Sequence, residues 1–509
     1  MSSEQLSPKM LHCIDAGYPL LYLETFEEMK ADHLIGTVAK SAARDVVEWD
    51  AANEIRDWRL CGSGQLVKSP RDLHISGLEQ ALQLFLDPEE LEHKILVIKD
   101  GHHYFDNPRV ISILKNIAYH ILSGRIQATV IWVSPVLVLP PDLEQHITIF
   151  NTDPLSLGEI RDMILAFAEE NYIALSSALL EEMAAAFKGL TEYEMKNIVS
   201  LAYASSGKLS HESLELILDQ KRQVVKKSGI LEMIQSEEDF DHIGGLESLK
   251  SWLKKKAAVI RDLERAAQFG VDMPKGVLIA GVPGCGKSLN AKAAAKLLGV
   301  PLLRLDMGRL LGKYVGESEA RMRKAIALAE AISPCVLWID ELEKAFAGIK
   351  EGGGGAEVTT RLFGHFLTWM QEKKSAAFVV ATANDILNLP PELMRKGRFD
   401  EIFYVGLPNE EERKKIFEIH IGKRRKTDLP DIRIDELVKR TKGYSGADIE
   451  GVVKESIEAV FTAGKSSLRT QDIIEAIHNT HSLSEIMREP LEKMTKEYET
   501  RKFKNASSS

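Results

Sequence analysis

The sequence predicts an α/β protein built from two successive units, each a parallel sheet covered by helices and followed by a helical subdomain. Three observations carry this prediction. Short apolar runs alternate with helical stretches in both halves of the chain, a glycine-rich loop joins a strand to a helix in the second half, and two helical stretches have similar sequences. Continuous apolar strands that alternate with helices are typical of a parallel sheet buried on both faces.

The chain has 509 residues and a formal net charge of -10. The length predicts roughly two to four domains, and the acidic balance argues against nucleic acid as the main partner. The four cysteines form neither a CxxC pair nor a metal-ligand cluster. Residues 1–10 are polar, and no apolar run is long enough to cross a bilayer. We therefore expect a cytoplasmic protein without membrane contact.

The first half of the chain is predicted to form an α/β domain over residues 1–155 and a helical subdomain over residues 156–235. Its strands are expected at residues 19–23, 45–49, 94–98, 129–133 and 147–150. Residues 158–234 show only the apolar spacing of three and four that helices have.

The second half repeats this order, with a large domain expected over residues 236–410 and a helical lid over 411–480. Its strands are expected at residues 276–280, 302–306, 336–339, 378–381 and 401–405. The segments KGLT at 188–191 and KGYS at 442–445 each lead into a helix. This favours two copies of one unit over two unrelated α/β domains. A charged helix and a frayed tail are expected over 481–509.

A phosphate-binding loop is predicted at residues 281–288, which read GVPGCGKS and match the pattern G-x-x-x-x-G-K-[ST]. Glycines let backbone N–H groups curl around phosphates, and the following helix adds its positive end. Lys287 is predicted to hold the β- and γ-phosphates, and Ser288 to bind Mg²⁺. The loop residues predicted to contact ATP are Pro283, Gly284, Cys285, Gly286, Lys287 and Ser288.

Two acids directly follow the predicted strand 336–339 and should lie at the edge of the sheet where the phosphates bind. Asp340 is predicted to position Mg²⁺ through its water shell. Glu341 is predicted to orient and polarise the attacking water. Asn384 ends the next strand, from where its amide could reach the γ-phosphate and the water. The sequence therefore predicts hydrolysis of ATP.

The order of these motifs resembles that of AAA+ ATPases over roughly residues 239–477. The resemblance rests on FDHIGGL at 240–246, the phosphate loop, the acid pair and MRKGRFD at 394–400. It implies a P-loop NTPase fold of the AAA+ type, with a parallel sheet and a helical lid. It also implies that a further set of residues surrounds the adenosine: Ile243 and Gly244 at the adenine, His420 at the ribose, and Gly446 and Ala447 in the lid.

The resemblance implies that Arg395 and Arg398 are arginine fingers that reach the γ-phosphate bound by a neighbouring subunit. Arginine suits this role because its planar guanidinium stays charged and matches phosphate oxygens. The alternative is that both arginines form surface ion pairs within one chain. Fingers that act on a neighbour require a homo-oligomer, and the norm in the family is a hexameric ring.

Residues 313–318, KYVGES, resemble the first pore loop of AAA+ proteins. Tyr314 followed by Val315 could grip an extended polypeptide by apolar contact, although Tyr314 could instead be packed under the sheet. The glycines at 352–355 lie where a second pore loop is expected. We therefore expect a motor that remodels or threads an unknown protein client. The alternatives are a slow nucleotide-dependent switch or scaffold and, with less support, a nucleic-acid motor.

One subfamily resembles this chain more specifically. AAA+ relatives carry an Asp-Gly-Phe signal after the helix that ends here as FLTWMQEK, residues 366–373, and this chain lacks it. Together with PPELMRKGRFDEI at 390–402 and KKSGILE at 226–232, this is similar to a poorly characterised AAA ATPase encoded by a hypothetical chloroplast open reading frame, with relatives in cyanobacteria and other bacteria. The resemblance implies ATPase activity without naming a substrate.

The first unit is expected to be a degenerate AAA-like domain. Its phosphate loop should follow the strand 19–23, but residues 24–28 read ETFEE, with neither glycine nor lysine. Three carboxylates at that place would repel phosphate. At the acid position, KDG at 99–101 keeps one aspartate and has glycine in place of the catalytic glutamate. We therefore expect no ATP hydrolysis in this half.

Cys285 lies inside the phosphate loop, at a helix N-terminus and beside Lys287. Both surroundings lower the pKa of a thiol and favour its oxidation. We hypothesise that oxidation of Cys285 blocks ATP binding. The alternative is that cysteine merely takes the place of threonine as a small residue.

Overall fold

The computed structural model describes residues 3–60, 66–73, 75, 77–152, 154–235, 240–310, 317–344, 355–386 and 389–507. The chain divides into unit 1, Met1–Ile217, and unit 2, Leu218–Ser509. Every helix among these described residues is too short or too polar to traverse a lipid bilayer.

Unit 1 contains a sheet with helices around it and further helices after it. Its strands are β1 (Leu20–Glu24), β2 (Asp45–Asp50), β3 (Glu54–Leu60), β4 (Leu66–Pro70), β5 (Lys94–Lys99), β6 (Thr129–Ser134) and β7 (Ile147–Asn151). Its helices are α1 (Ser3–Asp15), α2 (Glu28–Ser41), α3 (Leu78–Leu84), α4 (Pro88–Leu91), α5 (Pro108–Leu122), α6 (Leu157–Glu170), α7 (Ser177–Phe187) and α8 (Glu192–Ser206). The division between the units falls within α9 (His211–Lys227).

The sheet of unit 1 has the order β4-β3-β2-β5-β6-β1-β7. The five neighbouring strands β2, β5, β6, β1 and β7 pair in parallel. The strands β3 and β4 extend one edge as an antiparallel hairpin. Apolar residues of β1, β5 and β6 are buried on both faces, because α2 and α5 cover opposite sides. That double burial explains why these strands are almost uniformly apolar.

Unit 2 has the same kind of construction. Its strands are β8 (Leu231–Ile234), β9 (Gly276–Gly281), β10 (Leu302–Leu305), β11 (Cys335–Ile339), β12 (Ala377–Ala383), β13 (Glu401–Val405) and β14 (Lys504–Asn505). Its helices are α10 (Glu247–Arg261), α11 (Leu263–Gln268), α12 (Lys287–Leu298), α13 (Met307–Leu310), α14 (Glu317–Ile332), α15 (Gly355–Glu372), α16 (Glu410–Arg425), α17 (Ile434–Arg440), α18 (Gly446–Thr462), α19 (Thr470–Asn479), α20 (Leu483–Ile486) and α21 (Arg488–Arg501).

The sheet of unit 2 has the order β14-β13-β9-β12-β11-β10-β8. The neighbouring strands β13, β9, β12, β11 and β10 pair in parallel. If β1, β2, β5, β6 and β7 of unit 1 and β9 to β13 of unit 2 are each numbered 1 to 5 in chain order, both sets of parallel strands have the order 5-1-4-3-2. The predicted fold class, an α/β unit with a helical lid preceded by a related α/β unit with its own helices, is therefore confirmed.

The helical parts of the two units also share a local motif. Gly189 and Gly443 have φ values of 86° and 87°, in the left-handed region that favours glycine. Two residues later, Thr191 and Ser445 cap α8 and α18 with the same reciprocal arrangement, a capping box. The similar segments KGLT and KGYS therefore adopt the same turn into a helix.

Three parts of the predicted secondary structure were wrong. Residues 158–234 are not all helical, because Leu231–Ile234 forms β8, which pairs antiparallel with β10. The hairpin β3-β4 was not predicted. The tail that follows α21 was expected to be frayed, but as far as residue 507 it packs onto the sheet. The strand β14 pairs with β13, and the buried Ala506 donates its N–H to the Tyr404 carbonyl.

Candidate functional site

A cavity of about 510 Å³ lies at the carboxyl ends of β9, β11 and β12, between the sheet of unit 2 and the lid helices α16 and α18. All the residues predicted to bind the nucleotide or its metal line it, and so do Glu341 and Asn384. The lining residues taken from those predictions are Ile243, Gly244, Pro283, Gly284, Cys285, Gly286, Lys287, Ser288, Asp340, Glu341, Asn384, His420, Gly446 and Ala447.

The loop between β9 and α12 forms a cradle that depends on two glycines. Gly284 and Gly286 have φ values of 73° and 82°, and Gly286 immediately precedes α12. A Cβ atom on Gly284 would lie 2.9 Å from the Cβ of Ala447, so a side chain there would collide with the lid. The Gly284 carbonyl accepts the Ala447 N–H at 2.9 Å. The loop therefore presents its backbone N–H groups and the helix N-terminus to one cavity, an arrangement that suits phosphates.

Lys287 is buried at the centre of this loop, with 6% of its surface exposed. Its Nζ donates to the carbonyls of Gly281 at 2.9 Å and Val282 at 2.7 Å. Burial lowers the pKa of Lys287 to about 8, although nearby acidic groups oppose that shift. A poorly solvated ammonium group that donates to backbone carbonyls suits an incoming phosphate, which would bring a negative charge into hydrogen-bond distance.

Asp340 and Ser288 meet across the loop, with the Ser288 Oγ donating to the Asp340 carboxylate at 3.1 Å. The same Asp340 oxygen accepts a hydrogen bond from the Thr382 hydroxyl. A hydroxyl and a carboxylate at this spacing are oxygen ligands of the kind that Mg²⁺ prefers.

Glu341 has a left-handed backbone, with a φ of 50°. Its carboxylate accepts from the Asn384 side-chain amide at 3.4 Å and forms an ion pair with Lys344 at 2.6 Å. The neighbouring Glu343 is buried and accepts the backbone N–H of Asn384 at 3.0 Å. Burial raises the pKa of Glu343, against the hydrogen bonds that it accepts.

The opposite end of the cavity is closed by the lid. A Cβ atom on Gly244 would lie 2.6 Å from the Ile416 side chain, so the chain approaches α16 as closely as glycine allows. The Glu412 carboxylate accepts the N–H of Leu246 at 3.0 Å and ties this segment to α16. The segment that contains Ile243 and Gly244 therefore packs directly against α16 at the edge of the cavity.

His420 faces the same end of the cavity. Its buried Nδ1 has no hydrogen-bond partner among the described residues. Burial lowers the pKa of His420, against the attraction of Glu450, so its ring is neutral near pH 7. An unpaired buried nitrogen calls for a polar partner, and a ribose hydroxyl would supply one. The cradle, the acids and this nitrogen together fit ATP.

Arg395 and Arg398 do not line the cavity. Arg395 is exposed, and Arg398 donates to the Glu392 carbonyl. Their loop is fixed to the start of β9, because the Lys275 Nζ donates to the Gly397 carbonyl at 2.7 Å and the Asp400 carboxylate accepts the Lys275 N–H at 2.9 Å. Neither guanidinium therefore completes the site of its own chain.

Tyr314, Val315 and the glycines 352–354 lie outside the described residues. These residues belong to the two predicted pore loops.

The expectation of an acidic Cys285 was wrong. Burial raises the pKa of Cys285 to about 11 and outweighs the attraction of Lys287. The sequence shows the neighbouring lysine but does not show that the lid covers the thiol.

Hydrogen peroxide should therefore inhibit the parent protein and Cys285→Ser to the same degree. A thiol with a raised pKa holds little reactive thiolate near neutral pH. The measurement is the steady-state ATPase rate after graded peroxide exposure. Loss of inhibition in Cys285→Ser alone would support the redox hypothesis instead.

Several lining residues were not predicted from the sequence: His242, Leu246, Leu289, Thr382, Gly406, Pro408, Glu412, Ile416 and Glu450. Thr382 precedes Asn384 by two residues in a buried strand, which was the available signal. Glu412 is the third residue of α16 and makes a capping box with Asn409, so its sequence pattern indicated a cap rather than a link to Leu246.

The equivalent place in unit 1 has reversed charges. Lys99 lies in register with Val133 and Leu23, on the face of the sheet that α2 covers. In unit 2, Asp340 lies beside Thr382, on the face of the sheet that α12 covers. The next residue, Asp100, has a φ of 51°, matching Glu341. The predicted alignment was therefore wrong by one residue: Asp100 corresponds to Glu341, and Lys99 stands in the place of Asp340.

Lys99 is held inside unit 1 by carboxylates. Its Nζ lies 2.9 Å from Asp32, 3.2 Å from Glu28 and 3.6 Å from Glu48. Burial opposes its charge, but these acids outweigh burial and raise the pKa of Lys99. Glu28 and Asp32 belong to α2, the counterpart of α12. Glu28 is the first residue of α2, as Lys287 is the first residue of α12, and Asp32 lies about one turn later.

Comparison with known proteins gives a consistent picture along the chain. Residues 277–407 match the ATPase family associated with various cellular activities (AAA), and residues 431–475 match the AAA+ lid domain. Residues 6–152 and 158–228 match the N-terminal and second domains of SpoVK-like AAA ATPases.

Individual relatives are similar over most of the chain. The "Uncharacterized AAA domain-containing protein ycf46" of Guillardia theta is 36% identical over 94% of this chain and 92% of its own length. The protein of the same name in Pyropia yezoensis is 35% identical over 91% and 92%. The "ATP-dependent zinc metalloprotease FtsH" of Thermotoga maritima is 34% identical over 47% of this chain and 39% of its own length.

Proposed function

Because the chain belongs to the AAA ATPase family and is therefore an ATPase, we propose that it works as a homo-oligomeric ring, hexameric as is common in this family, that remodels or threads protein substrates. ATP binds in the cavity of unit 2, where the residues of the cradle and both acids meet.

The position of the arginines is the observation that carries the proposal of a ring. The cavity gathers the residues predicted to bind ATP but not Arg395 or Arg398. Their loop is held by Lys275 and Asp400 rather than by contacts to the phosphate loop. A second copy that places these guanidinium groups at the γ-phosphate would complete the site, as arginine fingers do. Hydrolysis should therefore require assembly.

Within this site, each group of the chain has one role. Lys287 and the loop N–H groups bind the phosphates, and Asn384 orients the attacking water together with Glu341. Ser288 would hold Mg²⁺ directly and Asp340 would hold it through water. Once bound, the ion would neutralise charge on the β- and γ-phosphates. His420, Ile243 and Gly244 set the position of the nucleoside.

Protein remodelling is the second part of the proposal. It is supported by Tyr314 and Val315, which resemble a pore loop that grips extended polypeptide. The acidic net charge of -10 supports a protein client over nucleic acid. The three free cysteines among the described residues, Cys13, Cys285 and Cys335, fit a reducing compartment such as the cytosol or plastid stroma.

Tyr314→Ala tests threading. We expect a permanently unfolded polypeptide to stimulate ATP hydrolysis by the parent and by Tyr314→Phe, which keeps the aromatic ring, but not by Tyr314→Ala. Basal hydrolysis should stay within about twofold in all three, because the substitution removes only apolar contact with the client. If the polypeptide stimulates none of them, the protein is better described as a nucleotide-dependent switch or scaffold.

We further propose that unit 1 binds no nucleotide, so calorimetric titration of the full chain should give one nucleotide per chain. Lys287→Ala should weaken that site by at least about 30-fold, because it leaves phosphate charge unpaired. Lys292→Ala, on the same helix but outside the cavity, serves as the control. A tight site that persists in Lys287→Ala would assign nucleotide binding to unit 1.

A further inference from the structure

Thr382 connects the two acids of the site through a single hydroxyl. It lies in β12, which pairs in parallel with β11, and stands opposite Asp340, the residue that follows β11. Its side chain is buried, with 1% of the residue exposed. The Oγ1 donates to the Asp340 carboxylate at 2.5 Å and accepts the N–H of Glu341 at 3.1 Å.

The second of these hydrogen bonds holds an unfavourable backbone. Glu341 has a φ of 50°, in the left-handed region that residues other than glycine rarely adopt. Such a conformation persists only when its surroundings fix it. The bond from the Glu341 N–H to Thr382 is a specific contact of that kind, and it directs the Glu341 side chain towards Asn384.

The first hydrogen bond sets the orientation of Asp340. One carboxylate oxygen receives both the Thr382 hydroxyl and the Ser288 hydroxyl. Threonine can donate and accept at once, which no apolar residue of the same shape can do. One buried hydroxyl therefore fixes the aspartate on one side and the backbone of the glutamate on the other.

We propose that Thr382 is a positioning residue for hydrolysis, which keeps Asp340 and Glu341 in register with each other. The proposal rests on the roles given above to these two acids. It concerns their alignment, not contact with ATP, so the loss of the hydroxyl should slow hydrolysis more than it weakens binding.

Thr382→Val and Thr382→Ser form the central pair of variants. Valine keeps the branched shape of threonine without the hydroxyl, and serine keeps the hydroxyl. We expect Thr382→Val to lower kcat by at least about tenfold, since small misplacements of catalytic groups are costly, while the Kd for a fluorescent ATP analogue changes by less than about threefold. Thr382→Ser should keep at least half of the parent kcat. Thr129→Val removes a buried threonine hydroxyl from β6 of unit 1 and should leave kcat unchanged.

Hydrogen exchange gives a readout that does not depend on turnover. The Glu341 amide should exchange faster in Thr382→Val than in the parent, because its acceptor is gone, and should stay protected in Thr382→Ser. Thermal melting reports whether each variant folds. If Thr382→Val does not fold, Thr382→Ala takes its place and should lose kcat while Thr382→Ser keeps it.

Two outcomes would overturn the proposal. One is a kcat for the hydroxyl-free variant within twofold of the parent. The other is an equal loss in Thr382→Ser. If Glu341→Gln is inactive while Thr382→Val is fully active, only the positioning role fails. If Glu341→Gln hydrolyses ATP like the parent, the proposed role of Glu341 fails as well.

Discussion

Glu341→Gln should reduce the kcat for ATP hydrolysis by at least about 100-fold, the lower end of what a positioned general base contributes. Glutamine keeps the size of the side chain and can still meet Asn384, but it cannot accept a proton from water. The Kd for ATP should change by less than about threefold, because Lys287 and the loop N–H groups are untouched. Phosphate release at saturating ATP and Mg²⁺, together with fluorescence binding, measures both quantities.

Glu497→Gln is a suitable control for this substitution. Glu497 lies on α21 and pairs with Arg501, away from the cavity. Retention of more than a tenth of the parent kcat in Glu341→Gln would contradict its role as the base. The same variant should keep ATP bound, so an affinity purification with it could capture the protein client.

The double variant Arg395→Ala/Arg398→Ala should also lose nearly all hydrolysis, by roughly 1000-fold, which is the lower end of the contribution of an arginine finger. Nucleotide binding should persist, since neither side chain lines the cavity. Arg488→Ala, which changes an exposed arginine of α21, should hydrolyse ATP like the parent.

Mixing the two inactive proteins tests whether the arginines act on a neighbour. An equal mixture of Glu341→Gln and the double arginine variant contains interfaces with an intact Glu341 on one side and intact arginines on the other. Random assembly in a head-to-tail ring makes about a quarter of the interfaces competent. Each of the two subunits at an interface is the variant required at its position in half of the cases. We expect up to about a quarter of the parent rate. No recovery, with mixed assembly shown by labelled subunits, would place the arginines in their own site.

The phosphate-binding cradle could be predicted because its chemistry is local. Gly284, Gly286, Lys287 and Ser288 lie within five consecutive residues, and the preceding strand and following helix fix their geometry. The acids were also predictable, because a strand delivers its last residues to a known edge of a parallel sheet. Nothing in these segments requires knowledge of distant parts of the chain.

The links between distant segments could not be predicted. Thr382 acts through the register of β11 against β12, and Glu412 reaches Leu246 across 166 positions. The strand β8 has only four residues and becomes a strand because β10 offers it an edge. Likewise, the pKa of Cys285 depends on burial beneath the lid, which outweighs the neighbouring lysine. Pairing and burial are properties of the fold rather than of a local pattern.

The reversed charges of unit 1 have an evolutionary consequence. Three residues, Thr25 to Glu27, separate β1 from α2, whereas five separate β9 from α12. A nucleotide pocket like that of unit 2 could therefore arise in unit 1 only with inserted codons as well as simultaneous exchange of Lys99, Glu28 and Asp32. Exchange of Lys99 alone would remove the cation that lies between Asp32 and Glu48 and would destabilise the domain. Single substitutions alone therefore do not convert unit 1 into a site of this kind.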